Sequence, residues 1–118
     1  ESEVFDANVR MIGVDTPEIA HDGMAAECYG PEAAAFNEQL VDHLVWLTFD
    51  NECFDRFDRV LAYVHVGGGD GDLWERQLLR RGFAESFPVG DHRQYQSMFD
   101  LDQQAALMSS AGMWAVCF

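Results

Sequence analysis

The sequence contains no lysine, and its seven arginines stand against 21 aspartates and glutamates. The formal net charge of −14 argues against a protein that holds nucleic acid through a broadly positive surface, because such surfaces gain affinity by displacing counterions from phosphates. Action on a nucleic acid would therefore need a local cluster of arginines, a bridging metal ion or high salt. The missing lysines and the surplus of carboxylates also fit a protein that must stay soluble in brine.

Long apolar runs and cysteine motifs are missing as well. No stretch approaches the roughly 20 apolar residues of a membrane span, so we expect no membrane partner. Cys28, Cys53 and Cys117 make an odd count without metal-site spacing, which predicts buried or idle thiols rather than a disulfide framework. No signal peptide is visible and the sequence begins at Glu1. We therefore expect an upstream segment to have been removed or left out, and localisation stays open.

Apolar residues make up 48% of the sequence and aromatic residues 13%, which is enough for the core of one domain over residues 1–118. Hydrophobic patterning predicts an α+β fold in the order strand, helix, strand, strand, helix, helix. Asp72 and Glu75 fit the N-cap and N3 positions of a capping box at the second helix. The predicted strands cover residues 4–14, 44–50 and 59–66, and the predicted helices cover about 31–42, 73–81 and 92–110.

Two separated segments carry the residues that favour phosphodiester chemistry. The segment VRMIGVDTPE contains Arg10, Asp15, Thr16 and Glu18, and Arg59 opens the third predicted strand. Two guanidinium groups can grip a phosphate and stabilise the charge of its transition state. A carboxylate with a main-chain carbonyl offers hard oxygen ligands for Ca²⁺, and a second carboxylate can deprotonate the attacking water.

The same residues also have a purely structural interpretation. DTPE is a turn sequence that Asp15 can cap, and Arg10 with Glu18 can form an internal ion pair, since a buried arginine needs a negative partner. Spacing alone leaves both interpretations open.

Four sequence blocks together resemble the successive motifs of the thermonuclease family, the staphylococcal-nuclease-like domains. The resemblance covers residues 9–84 well, and the last helix and Trp114 match in position and type more loosely. The blocks are VRMIGVDTPE, then YGPEAAAF at 29–36, DRFDRVLAYV at 55–64 and LWERQLLRRGFA at 73–84.

The resemblance implies an OB-fold barrel of five strands with three helices, and Ca²⁺-dependent cleavage of DNA and RNA to 3′-phosphate products. Arg10 and Arg59 resemble the family's phosphate-binding arginines, and Glu18 resembles its water-activating carboxylate. Asp15 resembles a calcium ligand, and Thr16 the residue that supplies a main-chain oxygen to the ion.

The substrate-binding part of the resemblance is weaker in detail. Where the family tends to have Lys-Tyr-Gly, this sequence has Arg56, Phe57 and Asp58, so the phenol hydroxyl is missing and a negative charge adjoins Arg59. Phe87 aligns roughly with the aromatic wall of the family's nucleotide pocket, and the alternative is that it belongs to the core. Arg56, Phe57 and Phe87 are therefore the candidate substrate-binding residues.

The family also has a calcium-binding aspartate on an earlier strand, in a DGDT-like segment for which this sequence begins too late. We accordingly expect a weakened Ca²⁺ site, because the number of charged ligands tunes affinity. The resemblance then implies a barrel that is N-terminally truncated or completed by a partner chain. An open sheet edge invites pairing, which predicts a homodimer or strand-exchanged assembly in which residues 1–10 help to close the sheet. The alternative is a monomer that wraps its own N-terminus over the gap. The alternative function is a catalytically weak or inactive OB-fold module for nucleic-acid or protein binding.

Overall fold

The computed structural model describes residues 8–67, 72–88 and 90–118, and this part of the chain is an α+β domain, as predicted. Its five strands are short, and the longest of its four α-helices lies near the end of the chain. In chain order the elements are β1 Val9–Met11, β2 Gly13–Asp15, α1 Gly30–Asn37, β3 Trp46–Thr48, β4 Val60–His65, α2 Trp74–Arg80, β5 Glu85–Phe87, α3 Gln96–Met108 and α4 Met113–Val116.

The first predicted strand is two strands that pair in different directions. β1 runs parallel to β4, whereas β2 runs antiparallel to β5. Gly13 lies at the junction with φ +90°, and a Cβ there would lie 2.5 Å from the ring of Phe99. Only glycine adopts this conformation at little steric cost, so it permits the change of direction. Residues 4–7 of the predicted strand lie outside the described residues.

The described strands form two small sheets rather than a closed barrel. One sheet has the order β1-β4-β3 and the other pairs β2 with β5. β5 lies between the second and third predicted helices, where no strand is predicted, because its three residues are too few to show alternation. The described residues contain five strands, which is the number expected for the barrel, but these strands do not form a closed barrel.

The helices begin and end close to their predicted positions, with three differences. A 3₁₀ turn over Glu38–Leu40 replaces the end of the first predicted helix. α3 begins at Gln96 rather than at residue 92, and α4 is a fourth, short helix beyond the three expected. No helix in the described ranges combines the length and the apolar character that a bilayer crossing requires.

The core lies where β4, β2, α2 and α3 meet. Tyr63 of β4 contacts Tyr95 edge to face, with ring centroids 4.7 Å apart, and also contacts Phe99 of α3. Burial of this cluster supplies the main driving force for folding. Its members include Ile12, Val14, Leu61, Tyr63, Val64, Leu73, Trp74, Leu78, Leu79, Ala84 and Phe99.

Glu75 is fully buried, so the predicted capping box at α2 is wrong. The helix starts after Leu73 without a side-chain cap, and the Glu75 carboxyl accepts the Val64 N–H at 3.1 Å. Burial raises the pKa of Glu75 to about 8, although the Val64 hydrogen bond acts in the opposite direction. The folded protein therefore holds a proton here that the unfolded chain releases above pH 4.5.

Stability should accordingly fall as pH rises from about 4.5 to 8, since the unfolded state binds fewer protons over this window. Glu75→Gln keeps an acceptor for the Val64 N–H without a charge. We expect the two proteins to melt together near pH 4.5 and the variant to melt at least about 5 °C higher at pH 8. Circular dichroism melts at both pH values measure this. The exposed Glu52→Gln is the matched control, and a pH-independent difference between Glu75→Gln and wild type would contradict the prediction.

The prediction of idle thiols is wrong for two of the three cysteines. Cys28 and Cys117 form a disulfide with their Cα atoms 5.9 Å apart, whereas Cys53 is free and exposed. The paired cysteines are 89 residues apart in sequence, so no spacing motif marks them. The bond joins the segment before α1 to the segment after α4.

Candidate active site

A cleft of about 240 Å³ opens beside the ends of β1 and β2. Its lining brings together side chains that are up to 49 positions apart in the sequence, from residue 10 to residue 59. All five predicted catalytic and metal-binding residues line it. Its polar lining consists of Arg10, Asp15, Thr16, Glu18, Asn37 and Arg59.

Arg10 is held in the cleft by main-chain carbonyls rather than by a carboxylate. Its Nη1 donates to the carbonyl oxygens of Met11 at 2.6 Å and Val14 at 2.7 Å. Burial lowers the pKa of Arg10, the charge of Asp15 raises it, and the nearby charge of Arg59 lowers it. The ion pairs found among the described residues do not include the alternative pair of Arg10 with Glu18.

Arg59 is oriented by Asp55, a residue that the sequence analysis did not single out. Arg59 Nε donates to Asp55 Oδ2 at 2.7 Å. The other carboxylate oxygen accepts the main-chain N–H groups of Phe57 at 2.8 Å and Arg59 at 2.9 Å. The signal for this arrangement is the spacing in DRFDR, where an aspartate bonds main-chain groups two and four residues ahead. Asp55 thereby fixes both the turn and the guanidinium.

Two guanidinium groups lie over the ring of Phe57, next to the cleft. The ring centroid is 4.9 Å from Arg56 Cζ and 5.6 Å from Arg59 Cζ, and the residue is 65% exposed. The next residue, Asp58, has a positive φ of 61°. Aspartate tolerates this conformation better than most residues do. Asp58 can therefore occupy the position at which the family tends to have glycine. Arg56 and Phe57 do not line the cleft itself.

Phe87 lies apart from the other candidate substrate-binding residues. It pairs with Gly13 at the end of β5 and is half-exposed. The cleft lining does not include it. Phe57 contacts Arg59 of the cleft and also contacts Arg56, so these two candidates lie next to the site. Phe87 is not connected to the site in this way.

Glu18 lines the cleft with a side chain that is largely exposed to solvent. The side chain is 66% exposed, and its Oε2 lies 3.5 Å from Nε2 of His21. The main chain of Glu18 forms two hydrogen bonds with Glu27, a residue that the sequence analysis also did not single out. An exposed, anchored carboxylate of this kind can accept a proton from a water molecule in the cleft.

Oxygen donors suitable for a hard cation are present, but they are few. The carboxylates of Asp15 and Glu18 and the residue Thr16 share the cleft. Within the described ranges, however, no three His, Cys, Asp or Glu side chains converge as a metal cluster. Because Ca²⁺ takes six to eight oxygen ligands, this donor set fits an ion whose shell is largely completed by water.

The arginines of this region offset the acidic character of the chain locally. Three of the seven arginines, Arg10, Arg56 and Arg59, lie in or beside the cleft, against a net charge of −14 overall. This is the local cluster that action on a polyanion requires.

Comparison with known proteins agrees with the resemblance. Residues 8–116 match the staphylococcal nuclease homologue family. The chain is 32% identical to a thermonuclease of Staphylococcus hyicus over 109 residues, which are 92% of this chain and 63% of the relative. It is 31% identical to a thermonuclease of Staphylococcus intermedius over 112 residues, 92% of this chain and 64% of the relative.

A relative outside the staphylococci has a similar likeness. Endonuclease YncB of Bacillus subtilis is 33% identical over 110 residues, which are 91% of this chain and 51% of the relative. The chain thus spans between about half and two thirds of the length of these relatives. Because the family match extends over nearly all of the sequence, this protein belongs to the staphylococcal nuclease homologue family.

Proposed function

We propose that this chain is a Ca²⁺-dependent nuclease that hydrolyses phosphodiester bonds of DNA and RNA. The observation that carries the proposal is that Arg10, Arg59 and Glu18 line one cleft, although they come from separate parts of the sequence. The names of its relatives, thermonuclease and endonuclease, support the same class of reaction.

In this mechanism the two guanidinium groups bind the scissile phosphate. Arg10 is already fixed by two carbonyls and Arg59 by Asp55, so little orientational freedom is lost when the phosphate binds. Both then stabilise the negative charge that grows on the phosphoryl oxygens. Glu18 takes a proton from the attacking water, whose oxygen bonds to phosphorus while the P–O5′ bond breaks, and the leaving 5′-oxygen takes a proton from solvent.

Asp15, with the main-chain carbonyl of Thr16, would hold the calcium ion. When bound, Ca²⁺ supplies positive charge that offsets the charge of the phosphate and of the cleft carboxylates. Because the oxygen donors are few, we expect Ca²⁺ to bind weakly and to occupy the site only at high concentration.

Arg56 and Phe57 would bind the nucleotide next to the scissile phosphate. The exposed ring offers a stacking surface for a base, and Arg56 offers a charge for the neighbouring phosphate. Phe87 lies outside the cleft lining, so any contact that it makes would be with a nucleotide farther along the strand.

We extend the proposal to the complete fold, in which the five strands belong to an OB-type barrel. Residues 1–7 lie outside the described part of the chain, and β1 is an edge of its three-stranded sheet. Formation of a homodimer through that edge stays a prediction.

A catalytically inactive binding module is the second candidate. It is favoured by the absence of a three-carboxylate cluster among the described residues and by the charge of −14. A module of this kind would gain no stability from calcium, whereas a ligand that binds the folded state raises the melting temperature.

Two measurements on the wild-type protein separate the candidates. We expect release of acid-soluble nucleotides from denatured DNA in millimolar Ca²⁺ and none in EGTA, together with a melting temperature that rises with Ca²⁺ concentration. Mg²⁺ at the same concentration controls for ionic strength. No cleavage and no shift at any Ca²⁺ concentration would contradict the nuclease and favour the binding module.

A further inference from the structure

The position of Glu18 depends on a loop that the hydrophobic core does not hold. Residues 18–28 are all exposed, so burial contributes little to their order. Two hydrogen bonds connect the ends of the loop: the Glu18 N–H donates to Glu27 Oε1 at 2.7 Å, and the Glu27 N–H donates to the Glu18 carbonyl at 2.9 Å. We call residues 18–27 the Glu18–Glu27 loop.

Glu27 is in turn fixed by the segment that follows it. Its carbonyl accepts the Gly30 N–H at 2.9 Å at the start of α1. A Cβ at Gly30 would clash with the Glu18 carbonyl, so the main chain of α1 passes directly against Glu18. The next residue, Cys28, is bonded covalently to Cys117 beyond α4. The disulfide therefore ties this end of the loop to a distant part of the chain.

We propose that Glu27 is a positioning residue for Glu18, and that the Cys28–Cys117 disulfide holds Glu27 in place. The Glu27 carboxylate acts by accepting the Glu18 N–H, which fixes the main chain from which the Glu18 side chain reaches the cleft. Its negative charge is not needed for this role. The inference rests on the proposed function only in taking Glu18 as the proton acceptor.

Substitutions at Glu27 distinguish hydrogen bonding from charge. Glu27→Ala removes the acceptor, and we expect kcat on denatured DNA to fall between about 10- and 100-fold while KM changes little, because a displaced group loses catalytic power more than ground-state binding. Glu27→Gln retains an oxygen that accepts the Glu18 N–H and should return kcat to within about threefold of wild type. Glu32→Ala removes a nearby exposed carboxylate from α1 and is the matched control.

Hydrogen–deuterium exchange measures the protection of the amides in the Glu18–Glu27 loop and does not require nuclease activity. In Glu27→Ala the amide of Glu18 should exchange several-fold faster than in wild type, because its hydrogen bond is lost, and Glu27→Gln should restore protection. Cys28→Ser/Cys117→Ser should show faster exchange over residues 18–27 and a lower kcat, at a temperature where circular dichroism shows it folded.

The outcomes separate this inference from the proposed function. A wild-type protein without nuclease activity contradicts the proposed function, and exchange at Glu18 then decides the role of Glu27. Unchanged exchange in Glu27→Ala overturns the positioning role, and so does a kcat loss that is equal in Glu27→Ala and Glu27→Gln. Unchanged kcat and exchange in Cys28→Ser/Cys117→Ser overturn the part assigned to the disulfide.

Discussion

Arg59→Ala should lower Ca²⁺-stimulated cleavage of denatured DNA by about 10²–10³-fold, which is the typical effect of removing one group that stabilises transition-state charge. The Arg59 side chain is partly exposed, and its ion pair is with Asp55 four residues earlier. Loss of this partly exposed pair should cost little, because the Asp55 carboxylate keeps its bonds to the main-chain N–H groups of Phe57 and residue 59. The loss should therefore appear in the rate and leave the melting temperature nearly unchanged, which steady-state kinetics and circular dichroism measure together.

Arg93→Ala is the matched control for this substitution. It removes the same charge from an exposed residue before α3 that does not line the cleft. We expect its cleavage rate to stay within about twofold of wild type, since the charge lies outside the cleft lining and is screened by salt. Equal losses in Arg59→Ala and Arg93→Ala would show that net charge, not the cleft, controls the reaction.

The largest expected effect on stability is at Asp102, which joins α3 to α2. Asp102 is 5% exposed, and it accepts bonds from Arg76 Nε at 2.7 Å and from Arg80 Nε at 3.0 Å. Asp102→Ala would remove this shared acceptor from Arg76, whose side chain is 18% exposed, and from Arg80, whose side chain is 45% exposed. Breaking such a pair typically costs about 3–5 kcal/mol, and the partial exposure of Arg80 puts our expectation at the lower end. Urea unfolding measures the difference.

Asp91→Ala controls for the loss of one carboxylate from an acidic protein. Asp91 is exposed, and its main-chain carbonyl, which accepts a bond from Asn51, is kept in the variant. We expect a change within about 0.5 kcal/mol, as for most surface substitutions. A similarly small change in Asp102→Ala would mean that the contacts between α2 and α3 do not depend on this carboxylate.

Much of the fold could be predicted because its signals are local. Pro31 lies in the first turn of α1, where a missing N–H costs no hydrogen bond. The apolar run of β4 is buried along its whole length. β5 could not be predicted, since its three residues are ordered by pairing with β2 rather than by their own pattern. Glu75 was misplaced because its spacing from Asp72 matches a cap, whereas tertiary packing buries it.

The candidate site also has a part that could be predicted from the sequence and a part that could not. Arg10, Asp15, Thr16, Glu18 and Arg59 could be selected from motifs, and the cleft contains all five. The supporting contacts could not be predicted, because they depend on three-dimensional proximity. The disulfide between Cys28 and Cys117 is one example, since 89 residues separate its ends.

The most direct test of the central claim is the initial rate of nucleotide release from denatured DNA by wild type and by Arg10→Ala/Arg59→Ala, each in Ca²⁺ and in EGTA. If both arginines bind one phosphate, wild type in Ca²⁺ should cleave, and the other three combinations should show only background release. A wild-type rate that is unaffected by loss of both arginines, with the variant shown to be folded, would contradict the assignment of this cleft as the active site.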